Sequence, residues 1–251
     1  MLALFYFTTR YYIGAMTRSG SNEGLTHQKN INNFVNGKKI NELKECNLKK
    51  FLLFIIKNRN IKFNSKDILR CSILGPQKGI PQKSDLKITI SGSNSYISLK
   101  KGTGNSYHQE QLTSFANFLK SLGASNELIK TFKTFICSSD YKTKINQTKK
   151  NNMQNFFKIH KEKIIHRAVI KGSYNHLQEA EFFYHCDRDL STFKDGHFLD
   201  RKKLLKILIV EKNNTSAFLP VGQLTLQAYE RKKDIDDIQF KGPSYQDLKW
   251  L

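Results

Sequence analysis

Acidic residues are in short supply: 21 Asp and Glu stand against 42 Lys and Arg, so the 251-residue chain carries a formal charge of +21. Such an excess draws polyanions, whether DNA, RNA or an anionic membrane surface. Much of it is lysine, in a chain also crowded with Asn and Ile, so part of the charge reflects an AT-rich coding sequence and not a partner. Cysteine is sparse too. Cys46, Cys71, Cys137 and Cys186 are scattered, with no Cys-x-x-Cys pair and no matched Cys/His spacing. That pattern argues against a structural zinc module and a secreted disulfide framework, and suits four reduced thiols in a cytoplasmic protein. Long hydrophobic runs are missing as well. "FLLFII" (Phe51–Ile56) is far too short to cross a membrane and reads as core. The opening "MLALFYFTTRYYIGAM" is broken by Arg10 and lacks the basic start and small-residue cleavage site of a signal peptide. It reads as a leading strand, or as a start extended upstream of a true first residue at Met16.

The common catalytic signatures are absent. There is no Gly-x-x-x-x-Gly-Lys-Ser/Thr loop, and Gly102 and Gly104 are too few for a dinucleotide fingerprint. No His-Glu-x-x-His, metal-spaced His160/His166 pair or Gly-x-Ser-x-Gly elbow occurs.

What is present reads as an α/β chain with a mixed sheet flanked by helices, one domain over 1–251. A weakly amphipathic helix is expected from Asn22 to about Asn36, and a second within "INELKECNLKKFLLFIIKNRN". Residues 138–163 are polar, basic and poor in aliphatics, which predicts an inserted arm or loop. Beyond it, "AEFFYHCD" reads as a strand, "DRKKLLKILIVEK" as a helix, and "VGQLTLQAYERK" with "DIQFK" as closing strands.

The chemistry concentrates in "SDLKITISGSNSYISLKKGTGNSYHQE", residues 84–110. Leu86, Ile88 and Ile90 alternate, as do Ile97 and Leu99, and "SGSNS" between them predicts a turn. The hairpin brings Asp85, at the start of one strand, to within about 5–8 Å of Lys100, at the end of the next. "KKGTGNS" then turns into what reads as a helix from about Ser106 to Leu122, with His108, Glu110 and Gln111 in its first turn. Two carboxylates and a lysine would thus converge, and paired carboxylates suit Mg²⁺. Each residue also has an ordinary reading: Asp85 as a strand cap, Lys100 and Lys101 as solvated lysines, Glu110 as a helix N-terminal charge. Ser98 could be filler on a polar face, and His108 a packing histidine.

Asp85, then Ser98-x-Lys100, then an acid, resembles the PD-(D/E)xK nuclease superfamily and, within it, type II restriction endonucleases. The usual second acid is here Ser98, and the resemblance implies that Glu110, or Gln111 through water, replaces it. It implies a restriction-endonuclease-like fold and Mg²⁺-dependent cleavage of double-stranded DNA, sequence-specific in the manner of a restriction enzyme. Asp85 and Glu110 would hold the metal, Lys100 would position the attacking water, and Ser98 would sit beside them. Accessory roles fall to His108 and to an acid on the first helix, best matched by Glu23 and then Glu42. Lys101, Asn105, Lys149 and Lys150 are candidate DNA contacts, and Asn151, Asn152 and Gln154 candidate base readers by location. A symmetric DNA site implies a homodimer, with a methyltransferase acting on the same sequence. The rival readings are a non-catalytic DNA- or RNA-binding protein on a degenerate nuclease fold, and an RNA-processing nuclease or ribosome-associated protein.

Overall fold

The structure, a computed structural model, describes residues 19–75, 83–137, 144–173, 178–186, 191–211, 219–228 and 237–248. The N-terminal stretch read as a strand or an extended start lies outside them. Among the described residues seven helices flank two sheets.

Helices α1 (Ser19–Val35) and α2 (Asn47–Asn58) open the chain. Four strands follow: β1 (Arg70–Ile73), β2 (Leu86–Ile90), β3 (Ser93–Lys101) and β4 (Ser106–Gln111). Next come α3 (Leu112–Ser121), α4 (Asn126–Cys137), α5 (Gln147–Ile159) and α6 (Lys161–His166), the last running into a π-helical turn at Arg167–Lys171. The chain then alternates through β5 (Phe182–Cys186), β6 (His197–Asp200), α7 (Arg201–Ile209), β7 (Leu219–Val221), β8 (Leu224–Ala228) and β9 (Asp237–Lys241).

The first sheet is mixed, in the order β1-β2-β3-β5-β6. Among the described residues β3 pairs with β5 in parallel and the sheet's other neighbouring strands pair antiparallel. All five residues of β5, "FFYHC", are buried, as expected of a strand covered on both faces. Alternation sorts its side chains. Phe182, Tyr184 and Cys186 join Leu86, Ile88, Ile90 and Ile97 against α1 and α2, where Ile31, Val35, Leu48, Phe51, Leu52 and Ile55 are buried. Phe183 and Leu199 enter the second core, with α3–α7 and the other sheet. That sheet is antiparallel, ordered β4-β9-β8-β7.

The β2–β3 hairpin forms as its alternation predicts, closed by a two-residue turn tighter than "SGSNS" suggests. Ser91 (φ 49°) and Gly92 (φ 79°) both take the left-handed region, the geometry that matches strand twist in a two-residue hairpin.

Two expectations are corrected. Residues 106–111 form a strand, not the first turns of a helix. A bulge between Ser106 and His108 shifts the register with β9, after which Glu110 points inward and Gln109 and Gln111 are exposed; the helix starts only at Leu112. The second correction is the arm at 138–163. Residues 138–143 lie outside the described residues, but most of the remainder is α5. Asn146 caps that helix, its side chain accepting from the Lys149 backbone N–H (2.9 Å), while Met153 and Phe157, four residues apart, are fully buried. A helix anchored by two large apolar residues per turn-pair needs few aliphatics, which is why composition misreads it.

Candidate active site

The hairpin places Asp85 opposite the end of β3. Its backbone N–H donates to Ile97 O (2.8 Å), and its carboxylate Oδ2 accepts from the Leu99 N–H (2.6 Å). The register puts Ser98, Lys100 and Lys101 alongside, at the strand end that leads to Gly102. Asp85 keeps a partial opening to solvent. Even so, desolvation pushes its pKa up, opposed in turn by Lys100, the Leu99 N–H, Lys83 and Ser98. Burial likewise pushes Lys100 down against the pull of Asp85. The Lys100 ammonium lies 5.8 Å from the centre of the Tyr245 ring. The Ser98 hydroxyl is buried beside the Asp85 carboxylate.

A second lysine completes the cluster, and the sequence reading did not single it out. Lys83, two residues before Asp85, donates from Nζ to Tyr107 O of β4 (2.7 Å) and to Ala168 O of the π-turn. Burial and the neighbouring Lys100 push its pKa well down, while Asp85 and Glu110 pull it up. The lone signal available was position, in "QKSD".

The first helix also reaches the site, though not through an acid. Gln28 Nε2 approaches Asp85 Oδ1 at 3.4 Å. Glu42 serves its own short turn, accepting from the Lys39 N–H (2.9 Å), and the side chain of Glu23 lies outside the described residues.

Glu110 is close enough to Lys83 to affect its charge, but its carboxylate is already committed. Arg167 grips it with two parallel hydrogen bonds, Nε to Oε1 (3.1 Å) and Nη2 to Oε2 (2.7 Å), and His108 Nε2 lies 3.3 Å from Oε1. Arg167 in turn reaches Ser114 Oγ (3.2 Å) and Ser173 O (2.9 Å), with its guanidinium stacked 4.5 Å from the Phe118 ring centre. Burial would raise the Glu110 pKa, yet the contacts to His108 and Arg167 outweigh it and bring the group below its ordinary value. His108 is pushed down to about 4, chiefly by burial and then by Lys83, so it is neutral near pH 7 and bonds to Ser173 Oγ (3.1 Å). The expected pair of free carboxylates is therefore one free carboxylate and one carboxylate held by arginine.

Among the described residues no three His, Cys, Asp or Glu side chains are grouped to cage a metal. Mg²⁺ does not need such a cage: it keeps waters and takes one or two carboxylates together with substrate phosphates. Asp85 fits that minimal role. Its Oδ1 has just the long contact to Gln28, burial leaves its charge under-compensated, and Ser98 adds a buried hydroxyl beside it.

The proposed DNA contacts are dispersed. Lys101 adjoins the site at the end of β3. Asn105 is exposed, and its carbonyl accepts from Gly242 N–H (2.9 Å). Lys149, on α5, pairs with Glu127 (3.2 Å), and Lys150 follows it. Among the described residues no helix is long and apolar enough to cross a membrane.

No protein-family model matches the chain, and no curated protein does. A solved structure does: the crystal structure of the restriction endonuclease MspI in complex with its cognate DNA, at a TM-score of 0.56 and 14% identity, covering 78% of each chain. The chain thus has a restriction-endonuclease-like fold, mixed α/β with two sheets flanked by helices.

Proposed function

We propose that this protein is a Mg²⁺-dependent endonuclease that hydrolyses phosphodiester bonds of double-stranded DNA, sequence-specifically, in the manner of a type II restriction enzyme. The observation that carries this reading is the packing of Asp85, Ser98 and Lys100 at one strand end of a restriction-endonuclease-like fold. A basic chain and a DNA-bound structural neighbour support the substrate.

In this reading Asp85 is the residue that would hold Mg²⁺. Once bound, the ion would stabilise charge on the phosphate and sharpen the attacking water. Lys100, oriented by the Asp85 charge and the Tyr245 face, positions that water and holds the scissile phosphate. Gln28 steadies the Asp85 carboxylate, and Ser98 donates to a phosphate oxygen where the family pattern has an acid. The Arg167–Glu110–His108 cluster acts as a rigid back wall.

Incubating the protein with Mg²⁺ and a long DNA tests this directly. Discrete fragments are expected, and their loss in Lys100→Ala. Intact DNA with undiminished binding would instead favour the non-catalytic reading, which the single free carboxylate supports. On this proposal a symmetric site is cut by a homodimer and protected by a partner methyltransferase.

A further inference from the structure

We infer that the cavity bordered by Arg167 is a nucleotide pocket, which takes one base on an apolar wall and the attached phosphate on a row of cations. This goes beyond the cleavage reading and does not depend on it: Asp85, Ser98 and Lys100 are not part of the cavity lining.

The cavity measures about 800 Å³, within the range of small-molecule sites. Three helical segments line it, each through residues four apart, which share one face of a helix. From α3 and its C-cap come Ser114, Phe118 and Leu122; from α7, Leu205 and Ile209; from α6 and its π-turn, Lys163, Arg167 and Lys171. One part of the lining is thus apolar and another cationic. Glu162 is the one acid in the lining, against Lys163 and Lys171, while Arg167 is balanced by Glu110. His166, also in the lining, is left out of the count because Glu179 lies 3.9 Å from it. The balance is positive.

These cations are also unspent. Nearby lysines answer acids: Lys161 pairs with Glu211 (2.7 Å) and Lys149 with Glu127 (3.2 Å). Lys163 and Lys171 have no hydrogen bond or ion pair among the described residues. Arg167 is largely buried, with Nε and Nη2 committed to Glu110, Ser114 and Ser173, and its Nη1 has no acceptor among the described residues. A guanidinium fixed on three sides and undirected on the fourth is a preorganised anion donor. Its stacking on the Phe118 ring, 4.5 Å from the centre, adds a flat surface of the kind that bases stack against. Inorganic phosphate alone would leave the apolar wall wet, and an uncharged apolar molecule would leave the cations unanswered. A flat base carrying a phosphate satisfies both, and Asn117 and Ser121, exposed at the α3 rim, offer polar groups to the base edge. That chemistry arrives either as a free mononucleotide or as an extrahelical nucleotide of DNA.

The test is calorimetric titration in EDTA with three probes, dAMP, deoxyadenosine and inorganic phosphate, beside a duplex carrying one unpaired adenine and its fully paired counterpart. A pocket filled by a free nucleotide binds dAMP at least about tenfold more tightly than either of its parts. Lys163→Ala and Lys171→Ala should each weaken that binding about tenfold, as loss of a charge-assisted contact does. Asn117→Trp, at an exposed position of α3 on the cavity rim, should abolish it with the circular dichroism unchanged. Lys57→Ala, exposed on α2 and outside the lining, should bind like wild type, which separates the pocket from the general pull of a chain of charge +21. Should dAMP not bind, a preference for the unpaired over the paired duplex that Asn117→Trp removes supports the extrahelical source. Binding of every probe that ignores Asn117→Trp, or that falls as much in Lys57→Ala as in Lys163→Ala, would overturn the inference. Cleavage reports separately. A protein that never nicks plasmid in Mg²⁺ yet binds nucleotide at this cavity keeps the pocket and refutes the nuclease; one that nicks but shows no such binding does the reverse.

Discussion

Asp85 and Glu110 are two carboxylates in neighbouring low-dielectric surroundings, and their fates are opposite. Glu110 is gripped by a guanidinium and a histidine, and its pKa falls. Asp85 has one strong backbone donor, one long amide contact and two lysines at a distance, and its pKa rises. Environments that drive like groups apart assign them different work. A charge fully satisfied by its own protein is architecture. A charge left under-compensated is a place for something to bind.

This contrast can be broken by mutation, and the effects should fall in order. Asp85→Asn should cost the most, lowering the cleavage rate by about 10²–10³-fold or more, the scale of losing a preorganised electrostatic contact at a reacting phosphate. The folded protein should remain, as seen by circular dichroism. Next comes Arg167→Met, which strands a buried carboxylate and should lower stability by about 3–5 kcal/mol in urea unfolding. Adding Glu110→Gln should recover much of that loss, because the stranded charge is then gone. If the double variant is no better than the single, the pair is not what Arg167 is for.

Acidification gives a smaller effect of fixed sign. The folded pKa values of His108 (about 4, against 6.5) and Glu110 are both below their unfolded values. The unfolded chain therefore takes up protons first, and the stability these groups confer is lost as pH falls. Melting temperature should begin to drop below about pH 6.5 and fall further below 4.5, and the Arg167→Met/Glu110→Gln double variant should lose the lower part of that dependence. The smallest effect belongs to Gln28→Ala, where a single long hydrogen bond is at stake. About 0.5–1 kcal/mol of transition-state stabilisation, or two- to fivefold in rate, is expected.

How much of this was legible follows from sequence distance. The β2–β3 hairpin could be read because alternation and turn lie within one short stretch, Asp85 to Lys100, and they fix those two residues against each other by local geometry alone. Glu110 was misread for a local reason as well: "SYHQEQ" has no strand-like alternation until the bulge re-aims it, and its partner strand β9 lies far along the chain. The decisive contacts are more remote. Arg167 meets Glu110 across 57 residues, and Lys83 meets its two carbonyls across 24 and 85. Carbonyl acceptors carry no side-chain signature, so nothing in "QKSD" could announce them.

Supercoiled plasmid in Mg²⁺ tests the central distinction most directly, with the rate of nicking by Asp85→Asn set beside that of the folded Arg167→Met/Glu110→Gln double variant. The account predicts an inactive Asp85→Asn and a double variant that still cuts. A silent double variant beside an active Asp85→Asn would move the metal to Glu110 and contradict it.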